Sequence, residues 1–117
     1  MPVSTRLSAI AILQNAAASA ANGIMIDITD SQSAIIEVSG TYTGITANFE
    51  GSIDAGLTWY AITLVTLSNA AGVRVSTTTN NGLYFLEYAR PMNAFRARTT
   101  VATPTGNMTV RARGSIV

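Results

Sequence analysis

Gly, Asn and Pro interrupt this 117-residue chain at short intervals, and the stretches between them are rich in Thr, Val and Ile. Sixteen residues are Thr. Branched side chains fit a pleated surface, and segments this short leave little room for helices, so the pattern predicts β-structure almost throughout. The expected strands are 23–28 (GIMIDI), 34–40 (AIIEVSG), 43–52, 58–67, the runs either side of Asn80-Asn81-Gly82, and two last strands either side of Thr103-Pro104-Thr105-Gly106. Residues 43–52 alternate, with Ile45, Ala47 and Phe49 on one face and Thr46, Asn48 and Glu50 on the other. Asn-Gly is a strong hairpin signal. The Ala-rich stretch 15–21, stopped by Asn22-Gly23, is the one helix candidate. About eight short strands with regular turns predict an antiparallel β-sandwich of jelly-roll or immunoglobulin-like type, residues 23–117, preceded by an N-terminal arm, residues 1–22. Length sets one domain, large enough to bury about two-thirds of its unfolded surface.

The stretch SIDAGLTW, 52–59, places Ser52, Asp54, Gly56, Thr58 and Trp59 at the spacing S-x-D-x-G-x-T-W. This resembles the Asp box, a hairpin signature repeated in sialidase-type β-propellers. A propeller needs several blades of about 40 to 45 residues, and this chain has one such motif. Turn Asp residues commonly bond the turn's own amides, so the expected role is structural: Asp54 ties the turn, Gly56 lets it close and Trp59 packs beneath it. Trp59 and Tyr60 point to opposite faces of a strand, so at most one of them is free to stack on a sugar.

Site chemistry is sparse. His and Cys are absent, which removes imidazole bases, the commonest metal ligand and any disulfide framework. The six carboxylates are Asp27, Asp30, Glu37, Glu50, Asp54 and Glu87. Glu50 and Asp54 are the pair to test for glycosidase chemistry, but one sits on a strand and the other in its turn. Asp27 and Asp30 straddle a turn, where capping is the ordinary role and a cation the alternative. Tyr84 and Tyr88 share a strand face and are expected in the core. Phosphate-binding glycine loops and nucleophile–base pairs are missing. The expectation is therefore a non-enzyme with no cofactor and no metal.

Charge points to partners. Charged residues make up 11% of the chain, against about a quarter in an ordinary soluble domain. All seven basic residues are Arg. Lys suits free surfaces, whereas the weakly hydrated Arg fork suits interfaces, so the surface is expected to be covered by protein. A net charge of +1 gives no field for nucleic acid or an acidic membrane. No run approaches a membrane span. The start, MPVSTRLSAIAILQNAAASA, imitates a signal peptide weakly. Its apolar run ends at Gln14 and Asn15, so it reads as an arm or first strand.

The last predicted hairpin carries the sharpest polar pattern. Phe95, Ala97, Thr99 and Val101 share one face of the first strand, and Met108, Val110 and Ala112 share one face of the second. Matching those faces across a Pro104-Thr105 turn sets Arg98 opposite Arg111 and Arg96 opposite Arg113. Four guanidiniums in one patch either fan into water or meet a partner's carboxylates.

The sequence VSGTYTGITANFEGSIDAGLTWYAI…NNGLYFLEYARPMNAFRARTTVATPTGNMTVRARGS, about residues 38–117, resembles small β-sandwich structural proteins of tailed-phage virions. Their pattern has D-G-G where this chain has Asp54-Ala55-Gly56. The resemblance implies a non-enzymatic virion protein, foremost a capsid decoration (cement) protein bound to the major capsid protein or other virion proteins. The expected protein is located in the virion as a homo-oligomer, a trimer or dimer by the general prevalence of closed symmetry, and its low net charge argues against a nucleic-acid or membrane partner. The alternatives are a tail, baseplate or fibre component, or a carbohydrate-binding module using Trp59 or Tyr60. Arg96, Arg98, Arg111 and Arg113 are the interface candidates.

Overall fold

The computed structural model describes residues 6–7, 10–28, 31–68, 71–87 and 92–116. Every regular element among them is a strand, and every ladder is antiparallel. The strands are β1 (Arg6–Leu7), β2 (Ala11–Ala17), β3 (Ile26–Asp27), β4 (Ser31–Ser52), β5 (Tyr60–Ala61), β6 (Leu64–Thr66), β7 (Arg74–Val75), β8 (Thr77–Thr78), β9 (Gly82–Leu86) and β10 (Ala94–Ile116). Asp30 and Tyr88 lie outside the described residues.

Two long strands replace several of the short ones expected. β4 runs for 22 residues and β10 for 23, and they pair along nearly their whole length, from Ala94 opposite Ser52 to Ile116 opposite Ser31. This pair then folds over on itself. Tyr84 pairs with Ile36 near one end of β4, yet its ring centroid lies 5.5 Å from that of Phe49. A straight strand would hold Ile36 and Phe49 roughly 43 Å apart. The N-terminal segment takes the short way across the fold: Ala17 pairs with Met108 and Ala21 with Thr99. Four residues reach at most about 14 Å, whereas β10 from 99 to 108 would extend about 30 Å if straight.

Each long strand therefore serves both layers of a sandwich. One layer holds the start of β4, the end of β10, and β2, β6, β7 and β9. The other holds the end of β4, the start of β10, and β3, β5 and β8. Between the layers Ile36, Ile45, Phe49, Phe95, Met108 and Val110 are wholly buried. Phe49 stacks on Phe95 with centroids 6.2 Å apart. The alternation expected over 43–52 is observed, with Ile45, Ala47 and Phe49 all inside.

At the bend the register slips between Val101 and Thr105, setting Ala102, Thr103 and Pro104 against Gly44. Pro104 thus sits in a bulge, where its missing N–H costs the ladder nothing. Thr103 and Gly106 have φ of 51° and 68°. A Cβ on Gly106 would run into the Thr41 carbonyl. The Thr103–Gly106 turn signal is real, but both strands turn together and the ladder continues, so no terminal hairpin forms.

The N-terminal segment is part of this sandwich. β2 pairs with β10, and Leu13 and Gln14 are buried. Gln14 Nε2 donates to the carbonyls of Ala97 and Ala21 at 2.9 and 3.0 Å, linking the layers. The expected helix over 15–21 is absent: 15–17 complete β2 and Ala21 bridges Thr99. Pairing to the open edge of β10 outweighs the helix preference of Ala, which is weak over one short turn. Asn80-Asn81-Gly82 is not a hairpin either. β8 before it pairs with Ala47 and Asn48 in one layer, and β9 after it pairs with 34–38 of β4 in the other.

Candidate functional site

The SIDAGLTW segment closes β4 onto β5, with Gly51 opposite Tyr60. Ser52 is 1% exposed, and its Oγ organises the turn. It donates to Asp54 Oδ1 at 2.7 Å and accepts from the amides of Asp54 and Gly56 at 3.2 and 2.9 Å. Asp54 Oδ1 also accepts from the Thr58 amide at 2.9 Å. These bonds, Ser52's first and the Thr58 amide's second, hold the Asp54 carboxyl below its ordinary range. Ala55 donates its amide to Asn93 Oδ1 at 3.0 Å. Gly56 adopts φ 91°, and a Cβ there would sit 2.7 Å from Met25 Sδ and 3.2 Å from Trp59 Cζ2. Ser52, Asp54, Gly56 and Thr58 come together in one self-bonded turn.

Trp59 departs from the expectation. It is half-buried rather than in the core, because its ring lies over the turn and takes the Arg96 guanidinium on one face, 4.3 Å from the centroid. That cation–π contact satisfies Arg96 together with Glu50. Arg96 Nε donates to Glu50 Oε1 at 2.7 Å and Arg98 Nε to Glu50 Oε2 at 3.3 Å. Trp59, Arg96, Glu50 and Arg98 thus form one stack on the outer face of their layer. Glu50 is engaged by two guanidiniums and Asp54 by its own turn, so neither carboxylate faces the other across an open cleft. Tyr60 is 66% exposed, and it is the one of the two adjacent aromatics with an open side.

The four arginines do not share a patch. Arg96 is opposite Glu50, Arg98 opposite Asn48, Arg111 opposite Glu37 and Arg113 opposite Ile35. Because both ends of β10 pair with β4 and not with each other, the arginines meet β4. The first two project from one layer's outer face and the last two from the other's. Arg111 Nε donates to Glu37 Oε1 at 2.7 Å. Glu37 and Glu50 both occupy outward positions of alternating segments, the one sign in the sequence that they could answer these arginines.

Two surface features carried no signal in the sequence. Beside Arg111 and Arg113, an apolar groove of about 340 Å³ runs over Ile10, Ile35 and Leu83. Around the Asp54 turn, Ile24, Met25, Ile53, Leu57 and Tyr60 are exposed by 48–87%. Among the described residues there is no cluster of three or more His, Cys, Asp or Glu able to hold a metal.

No protein-family model and no curated protein matches the chain. Solved structures do. The chain superposes on the SPBc2 prophage-derived protein YomS with a TM-score of 0.85, covering 98% of this chain and 97% of that one at 16% identity. It shares the fold of YomS. The PBSX exported protein XepA matches with a TM-score of 0.85 and 15% identity over 98% of this chain. The match spans 39% of XepA, so the present fold corresponds to a part of that longer protein. At these identities the likeness is one of fold.

Proposed function

We propose that the chain is a non-enzymatic structural component of a tailed-phage virion, foremost a decoration protein that binds the capsid shell as a homo-oligomer. The observation that carries this reading is the end-to-end match to a prophage-derived protein, YomS. The surface supports it. Large apolar side chains are exposed around the Asp54 turn and, at Ile10 and Leu83, beside the half-buried Ile35 of the groove. Exposed apolar patches of this kind mark association surfaces. Arg111 and Arg113 border the groove; Arg111 is held by Glu37 and Arg96 and Arg98 by Glu50, so each of these three guanidiniums already meets a carboxylate of its own chain.

Purified chain, gold-labelled and mixed with capsids of the encoding phage assembled without it, should add at regular capsid positions seen by electron microscopy. Label that lands on tails or baseplates instead would move the role there. Label on neither particle, with a chain that sediments as a monomer at all concentrations, would refute the proposal.

A further inference from the structure

The sequence holds two Asn-Gly bonds, Asn22-Gly23 and Asn81-Gly82. This dipeptide is the one best suited to closing a cyclic imide within the chain, because a glycine has no Cβ to keep its amide nitrogen away from the preceding Asn Cγ. Closure needs both reacting groups free: the Asn carboxamide and the glycine amide.

The fold treats the two dipeptides differently. At Asn81 the carboxamide donates to the Gly40 carbonyl at 2.8 Å. Leu83 sends its amide to Ser68 Oγ at 3.0 Å, and its carbonyl accepts from the Leu67 amide at 2.9 Å. Alternate residues of an antiparallel strand face opposite neighbours, so Gly82 turns its own amide and carbonyl toward its partner Val38 on β4. Both reacting groups of this dipeptide are therefore held.

Asn22 is exposed and lies between strands. Among the described residues, neither its carboxamide nor the Gly23 amide has a hydrogen-bond partner. The glycine itself is required by the fold, since it holds φ 72° and a Cβ there would run into the Leu13 carbonyl. Its two neighbours are pinned. Ala21 exchanges backbone bonds with Thr99 at 3.2 and 2.8 Å and accepts from Gln14 Nε2 at 3.0 Å. The Ile24 amide donates to the Leu13 carbonyl at 2.9 Å.

We propose that Asn22 is a modification site that converts spontaneously to aspartate and isoaspartate, while Asn81, in the same dipeptide, is protected by the fold. The Gly23 nitrogen attacks Asn22 Cγ and forms the N–Cγ bond. The Cγ–Nδ2 bond breaks, and the Gly23 amide proton departs with Nδ2 as ammonia. Water then opens the imide at either carbonyl, giving aspartate or isoaspartate, with no change of oxidation state. Isoaspartate adds a methylene to the main chain between the two pins. The single bond at Ile24 is the one to give, against several at Ala21. That loosens Ile24 and Met25, which are exposed near the Asp54 turn, where Met25 Sδ lies against Gly56. This inference is independent of the virion reading.

Folded chain held at mildly alkaline pH, with conversion at each asparagine followed by peptide mapping and isoaspartate scored with an isoaspartyl methyltransferase, tests this. Asn22 should convert at least about tenfold faster than Asn81, which must first release its hydrogen bonds. In urea the two rates should become comparable, because the fold and not the dipeptide makes the difference. Asn22→Gln should fold like the parent and abolish the fast conversion; Asn22→Ser is the second variant should it not. In isoaspartate-containing chain separated from the parent, the Ile24 amide should exchange its hydrogen faster while Ala21 stays protected. The proposal is overturned if Asn81 converts as fast as Asn22 in the folded chain, if the difference persists in urea, if neither converts while folded, or if the fast conversion survives in the variants. Unchanged exchange at Ile24 would overturn the loosening.

Discussion

Ala55 shows how a single position departs from its ideal. It holds φ 57°, a left-handed conformation that costs a residue with a Cβ about 1–2 kcal/mol, against 0.5–1 kcal/mol of extra chain entropy for Gly. Ala55→Gly is expected to stabilise the fold by a few tenths to about 1 kcal/mol, read from the denaturant midpoint. Asp54 makes a pH-dependent contribution. Its folded-state pKa is depressed by the Ser52 and Thr58 bonds. Its stabilisation is therefore complete above the unfolded value near 3.9 and is lost as pH falls through the lower folded value. The melting-temperature gap between the parent and Asp54→Ala should be constant above about pH 5 and shrink below about pH 3.9. A gap that stays constant down to low pH would mean that the charge on Asp54 is irrelevant.

Among the elements, the bent ribbon decides the most. β4 and β10 turn together where Gly106 at φ 68° passes the Thr41 carbonyl. Gly106→Ala would impose both a left-handed penalty and a clash with backbone, which cannot move aside as a side chain can. The expected loss is at least about 2 kcal/mol, seen as a lower urea midpoint. A neutral result would mean that the bend relaxes without changing the fold. The Asn80-Asn81-Gly82 turn makes the complementary point. Its residues do form a turn, but the two strands it joins both find partners on β4, one in each layer. Local turn chemistry is short-ranged and chooses where the chain reverses; which strand lies next to which is settled by pairing partners far away in sequence.

For the molecule as a whole, the proposed assembly role would rest on the two exposed apolar regions and the arginine beside the groove. Arg111 borders the groove, half-exposed while bonded to Glu37, whereas Arg98 lies in the other layer beside Glu50 and away from the groove. Arg111→Ser is expected to weaken capsid binding or self-association by about 1 kcal/mol, roughly fivefold, with Arg98→Ser close to neutral for association. Equal losses in both variants, measured by sedimentation, would disconnect the groove from assembly. Arg96→Ser is a fold probe instead, since it strips Glu50 of its shorter ion pair and Trp59 of its cation.

Much of the fold was legible in residues alone. The alternation of Ile45, Ala47 and Phe49, the outward arginines, and the Ser52–Asp54–Gly56 turn all follow from periodicity two and from side chains bonding nearby amides, which act within a few residues. The same reasoning could not show that Glu37 and Glu50 would meet the arginines, or that Trp59 would lie under Arg96. Those contacts join residues 37 to 74 positions apart; the Glu–Arg pairs exist because β4 and β10 are laddered in this register. Sequence by itself determined an all-β chain, the inward and outward sides of its strands, and a self-capped turn at 52–59. Only the tertiary structure decided that two predicted turns would become one shared bend, which strands would be neighbours, and where polar groups would converge, because long-range pairing sums over many ladder bonds that no local stretch contains.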